Sequence, residues 1–151
     1  MIKITSTAFK EGKPIPARYS CDDRDISPPL DWDDLPENTE SIALILEDPD
    51  APRGLFTHWI IFNLPGDTKN LPEHVKGEEL MDNGGKQGFN DFGRVGYGGP
   101  CPPGGTHRYY FKIYALNVKL DLPPFIGRDE LLDAMEGYVL DRGQLMGVYT
   151  R

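Results

Sequence analysis

The chain has 151 residues, a formal charge of −8, 17 glycines and 14 prolines. That length suits one domain with one core, burying roughly two-thirds of its unfolded surface without staples, and the Gly/Pro content favours short strands and turns over a helical fold. The acidic balance, with no clustered Lys/Arg run, argues against nucleic-acid binding, since phosphate backbones are held by such clusters. Nothing approaches the roughly 20 apolar residues of a membrane span, and MIKITSTAF lacks a signal-peptide core, so the reading is a soluble cytoplasmic protein with no integral membrane association.

In chain order, Ile2 to Ser6 alternates apolar and polar residues, and a second short run ends near Tyr19 after the turn signal Gly12-Lys13-Pro14. Both are predicted as edge strands. Residues 21–36, CDDRDISPPLDWDDLP, show no helical period and read as a structured loop anchored by Leu30, Trp32 and Leu35. Their aspartates lack the ordered Gly and terminal Glu of a calcium loop.

SIALILE, from Ser41 to Glu47, is a buried strand by its unbroken apolar run, and it leads into DPDAP at 48–52. The prolines on either side of Asp50 favour extended or turn geometry, which sets Asp48 and Asp50 on a stiff strand exit. From Thr57 to Asn63 a further strand is predicted, with His58, Ile60 and Phe62 on one face and Trp59 and Ile61 on the other. Residues 65–94 are polar and Gly-rich, long for a bare connection, and contain His74, read as a solvated histidine.

The stretch from Tyr97 to Leu116, YGGPCPPGGTHRYYFKIYAL, joins a tight Gly/Pro loop to an aromatic strand. Period-two alternation puts His107, Tyr109, Phe111 and Ile113 on one face, with Arg108, Tyr110 and Lys112 on the other. LNVKLDLPP reads as another strand. A helix from Gly127 to Gly137 has Asp129 and Glu130 at its positive end and Leu131, Leu132 and Met135 on one face. GQLMGVYTR reads as a short final strand.

Three chemistries compete for these residues. None of the four serines sits in a G-x-S-x-G elbow, so a nucleophile would be Cys101 with His107 and Asp48, although two prolines pin Cys101 and no neighbour in sequence lowers its pKa. His58, His107 and Asp48 could supply a divalent-metal set by residue type, but lie on separate elements with no H-x-H or H-x-x-x-H spacing, and no metal is assigned. The third is an anion pocket in which loop N–H groups form a nest and histidine and tyrosine supply further donors. Cys21 and Cys101 match no CxxC spacing, and the rarity of cytosolic disulfides favours two reduced thiols.

DPDAP, THWIIFNLP at 57–65 and YGGPCPPGGTHRYYFKIYAL together resemble the phosphatidylethanolamine-binding protein (PEBP) family, and CDDRDISPPLDW with QGFNDFGRVGY is similar to its short bacterial and archaeal branch. The resemblance spans the chain. It implies a mainly β fold, a sandwich of two antiparallel sheets with Greek-key connections and a short helix near the C-terminus. It also implies a pocket for phosphate-like anions formed by Asp48, His58, Tyr97, Gly98, Gly99, Pro100 and the loop to Pro103, His107 and Tyr109. Thr57 replaces a second adjacent histidine of eukaryotic members, and the sequence stops at Arg151 without their C-terminal helix. The family fold brings the loops of Cys21 and Cys101 toward one end of the sheets, which offers a bridge as the alternative to free thiols. The expected role is non-catalytic binding or regulation without a cofactor, with a protein partner or a second copy of the chain left open. A hydrolase using Asp48 and the two histidines, and a protease inhibitor, are the alternatives.

Overall fold

The computed structural model describes residues 1–151. Its elements are β1 (Lys3–Thr5), β2 (Leu30–Asp33), β3 (Ser41–Asp48), β4 (Phe56–Pro65), β5 (Asn70–Leu71), β6 (Lys86–Gln87), β7 (Thr106–Leu116), α1 (Arg128–Met135) and β8 (Val139–Thr150). They form two antiparallel sheets, one of three strands in the order β1-β2-β5 and one of five in the order β6-β4-β3-β7-β8. The mainly β sandwich expected from the sequence is the observed architecture.

The centre is β3, which pairs with β4 on one side and β7 on the other and is buried along its whole length. Such a strand needs apolar residues on both faces, which is why SIALILE does not alternate. One face packs Leu44 and Leu46 with Trp59, Ile61, Tyr109 and Phe111 against the three-stranded sheet. The opposite face packs Ala43 and Ile45 with Ile60 and Phe62 against Leu131 and Met135 of α1. The Glu130 side chain accepts a hydrogen bond from the Gly127 N–H at the start of α1, and Gly137, at φ 88°, follows its end.

Four elements differ from the sequence expectation. The run before Tyr19 is not a strand: Pro14 makes one isolated bridge to Val148, and Ala17–Tyr19 is a single 3-10 turn. The predicted loop at 21–36 contains β2, where Leu30 and Trp32 point inward and Asp31 and Asp33 outward, a period-two pattern masked by its short length and flanking prolines. LNVKLDLPP continues no strand beyond Leu116; its Leu120 caps the helix-side core, and the Leu120 N–H donates to the Asn63 side chain. The final strand starts four residues earlier than its glycine suggested, at Val139, because β8 pairs with nearly the whole of β7.

The cysteines also correct the expectation of free thiols. Cys21 and Cys101 form a disulfide across a Cα–Cα distance of 5.4 Å. The reason is tertiary: the Cys21 N–H donates to the Pro100 carbonyl at 3.1 Å, so the two loops are already laced together where the sulfurs meet. No helix is long and apolar enough to cross a membrane.

Candidate functional site

A cavity of about 160 Å³ opens at the end of the five-stranded sheet where β3 exits, β4 begins and β7 begins. Asp48, His58, His107 and Tyr109 line it, together with Phe56, Phe92 and the Cys101–Pro103 segment. No lysine or arginine is among its lining residues.

Asp48 is the last residue of β3, and its side chain is 4% exposed. One carboxylate oxygen accepts the Asp50 N–H at 2.7 Å, a local turn bond made possible by the Pro-flanked DPDAP geometry. The other lies 2.7 Å from Nδ1 of His107, so the ring donates through Nδ1 and keeps Nε2 for other partners. Next to it, Arg108 points to the opposite face and forks onto Asp50, with bonds of 2.9 and 2.8 Å, and holds the Asp50 carboxyl at a pKa of about 2.

His58 reaches the cavity by a backbone irregularity. Plain alternation would set it with Ile60 and Phe62 on the helix side. Instead the β3–β4 register shifts, Leu46 facing Trp59 and Glu47 facing Thr57, so His58 is the extra residue of a bulge. A bulge re-aims side chains at sheet ends. The His58 ring therefore sits edge-on to Tyr109 at 5.3 Å and beside Phe56 at 4.9 Å. Its Nδ1 donates to the Gly98 carbonyl at 2.7 Å, and the Gly98 N–H returns a bond to the His58 carbonyl at 2.9 Å. Burial pushes the His58 pKa below its ordinary value, with the Gly98 carbonyl and Asp48 opposing the shift.

Tyr109 is fully buried, and its hydroxyl, although the Asp48 carboxylate and the Cys101 backbone are nearby, makes a hydrogen bond of proper geometry to neither. Burial first, and then the charge of Asp48, push its pKa well above that of a free phenol. A buried unpaired hydroxyl costs about 1–3 kcal/mol, so it is an unusual group to find in the wall of a cavity.

The other expected site residues brace the cavity without lining it. Tyr97 donates its hydroxyl to the Tyr19 carbonyl at 2.6 Å and stacks edge-on against Trp59. A Cβ at Gly98 would fall on the Phe92 ring, and one at Gly99 on the Tyr19 carbonyl, so both positions require glycine for space. The Gly98 and Gly99 N–H groups are already used, on the His58 carbonyl and on Asp25 Oδ1 at 2.7 Å. They do not form an open nest. Pro100 supplies the carbonyl that receives the Cys21 N–H. His74 is exposed and does not line the cavity.

Phe56 and Phe92 were not singled out by the sequence reading. Phe92 is delivered by the long 65–94 segment, which is ordered here: the Asp91 side chain accepts the Thr57 N–H at 2.7 Å, and Asn90 accepts the Phe92 and Arg94 N–H groups. The available signal was a large aromatic between Asp91 and Gly93 in an otherwise polar run.

The profile of the family described as "Phosphatidylethanolamine-binding protein" matches residues 5–150. The chain belongs to the phosphatidylethanolamine-binding protein family. A UPF0098 protein of Methanothermobacter thermautotrophicus is 48% identical over 150 residues, covering 99% of both chains. Another from Aquifex aeolicus is 48% identical over 155 residues, with 100% of this chain and 90% of that one covered. Among solved structures, a PEBP homologue from Chlamydia trachomatis is similar with a TM-score of 0.92 and 42% identity, over 99% of this chain and 97% of that chain. YbcL of E. coli, described as a member of the mammalian PEBP family, has a TM-score of 0.91 and 30% identity over 99% and 98%. This PEBP-family chain thus shares its fold along nearly its whole length with both structures.

Proposed function

We propose that this PEBP-family protein binds a small anionic, phosphate-like group in the cavity between Asp48, His58, His107 and Tyr109, and acts by binding rather than by turnover. The observation that carries the reading is the unpartnered Tyr109 hydroxyl, a donor whose acceptor a ligand oxygen would supply. With Nδ1 of His58 and of His107 engaged, each ring offers its second nitrogen, which donates only when the ring is protonated. Anion binding is therefore coupled to proton uptake, or to a ligand that brings its own proton.

A cavity of about 160 Å³ suits one small group, and without a fixed lysine or arginine simple phosphate should bind at roughly micromolar to millimolar affinity. Phe56, Phe92, Pro102 and Pro103 around it favour a ligand whose anionic tip is carried on a larger, partly apolar body, including a modified protein. A regulatory role follows from such recognition. Nucleophilic chemistry is less favoured, because Cys101 is bridged and both Asp48 oxygens accept hydrogen bonds.

The Asp48–His107 pair favours one second reading, hydrolysis of a small ester by water with His107 as base. Isothermal titration of inorganic phosphate into wild type and Tyr109→Phe tests the first reading, with a loss of about tenfold in affinity expected for the variant. A phosphatase and esterase panel tests the second. Turnover abolished by His107→Ala would replace the binding reading.

A further inference from the structure

The bridge between Cys21 and Cys101 is set unlike a buried structural staple. Cys21 is exposed, Cys101 is half-buried, and Cys101 forms part of the cavity wall. The Arg151 guanidinium lies across both sulfurs, with Nη1 3.6 Å from Cys101 Sγ and 4.0 Å from Cys21 Sγ. Arg151 is itself fixed. Its Nη2 is 3.1 Å from Asp22 Oδ1, and its backbone exchanges two hydrogen bonds with Gly105 at 2.9 and 3.0 Å. A cation held against a sulfur favours the thiolate, and the thiol that leaves most readily in exchange is the one whose thiolate is best stabilised.

We propose that Cys21–Cys101 is a thiol-exchange site at the rim of the cavity, at which a small cellular thiol attacks Cys21 and Cys101 leaves as a thiolate paired with Arg151. The direction follows from access and charge: Cys21 is the exposed member, and Arg151 lies nearer to Cys101. In the first step the thiolate RS⁻ forms a bond to Cys21 Sγ, the bridge breaks, and the electron pair goes to Cys101 Sγ. The product is a mixed disulfide, Cys21–S–S–R. A second RS⁻ attacks the sulfur of R, releases RSSR and leaves Cys21 as a thiolate. Two thiols are oxidised, and the bridge accepts two electrons.

The loops do not depend on the bridge alone for their position. Cys21 N–H to Pro100, Gly99 N–H to Asp25 and Tyr97 hydroxyl to Tyr19 continue to join them after it opens. Exchange can therefore proceed in the folded protein. Modification of Cys21 adds the thiol's own groups beside the cavity, and the vacated Cys101 puts a thiolate into its wall.

The test is incubation of the native, oxidised protein with reduced glutathione, followed by quenching with iodoacetamide and peptide mass mapping. Glutathione on Cys21 with carbamidomethyl on Cys101 is the expected pattern. Arg151→Gln should slow opening by about threefold to fivefold without moving the adduct. In Cys21→Ser, the pH dependence of Cys101 alkylation should report a pKa below the ordinary value of about 8.5, returning toward it when Arg151→Gln is added. Glutathione found on Cys101, a bridge that opens only once denaturant unfolds the chain, or a Cys101 pKa indifferent to Arg151 would each overturn the proposal. None of these readouts depends on what the cavity binds.

Discussion

Nδ1 of His107 lies 2.7 Å from Oδ2 of Asp48, a contact between the start of β7 and the end of β3 that spans 59 residues of sequence. Because the other Asp48 oxygen holds the Asp50 N–H, one buried carboxylate fixes both the histidine ring and the turn beneath it. Asp48→Ala leaves two donors without acceptors at a position whose side chain is buried, and we expect a loss of about 2–4 kcal/mol in urea unfolding. Asp48→Asn keeps an acceptor and should cost less than half as much. A loss under about 0.5 kcal/mol in Asp48→Ala would mean that water replaces the carboxylate freely.

His58 gives a stability trend with a definite sign. Its folded pKa is lowered by burial below the unfolded value of about 6.5, so the unfolded chain binds the proton more readily. The stability due to a neutral His58 is therefore complete above about pH 6.5 and falls as pH drops from there toward the folded pKa. Replacing it with phenylalanine should flatten that part of the profile in denaturant titrations. An unchanged slope would place the proton elsewhere.

The exposed fork between Arg108 and Asp50 behaves in the opposite group sense. Asp50 has its pKa lowered to about 2, first by hydrogen bonding to the Arg108 side chain, so its contribution is present above the unfolded value near 4 and is lost as pH falls toward about 2. The pair is solvent-screened, and Arg108→Ala should cost only about 0.5–1 kcal/mol at neutral pH. NMR titration should show the Asp50 pKa rising in that variant while staying below an ordinary carboxylate's, because the Arg108 backbone N–H still donates to it at 2.9 Å.

Removing the bridge tests the other end of the same loop. The cysteines are 80 residues apart in sequence, and closing such a loop contributes about 4–5 kcal/mol in the chain-entropy picture. The double serine variant should lose about 2–5 kcal/mol yet keep the fold, since three hydrogen bonds still join the loops. Loss of the native circular dichroism spectrum would show that the bridge is required for folding.

Legibility in the sequence divided along physical lines. The inward face of β7, with His107, Tyr109, Phe111 and Ile113, followed from period-two alternation alone, and β3 from its unbroken apolar run. The bulge at His58 did not, because a bulge is a property of two strands in register and leaves no mark on one of them. Phe92 was hidden for a related reason: only the Asp91 and Asn90 bonds, formed in the folded chain, carry it to the cavity. The cysteine pair was outweighed by a compartment rule, although the deciding fact was loop proximity.

An anion in the cavity, held by Tyr109 and protonated histidine nitrogens, would reveal itself in calorimetric titration of inorganic phosphate between about pH 5.5 and 8.5. Wild type should bind more tightly at the acid end and take up protons on binding, seen as a dependence of the measured heat on buffer ionisation enthalpy. His58→Ala/His107→Ala, checked to be folded, should lose most of that affinity at every pH. Equal affinity in the two proteins, or binding that strengthens as pH rises, would contradict the assignment of the site.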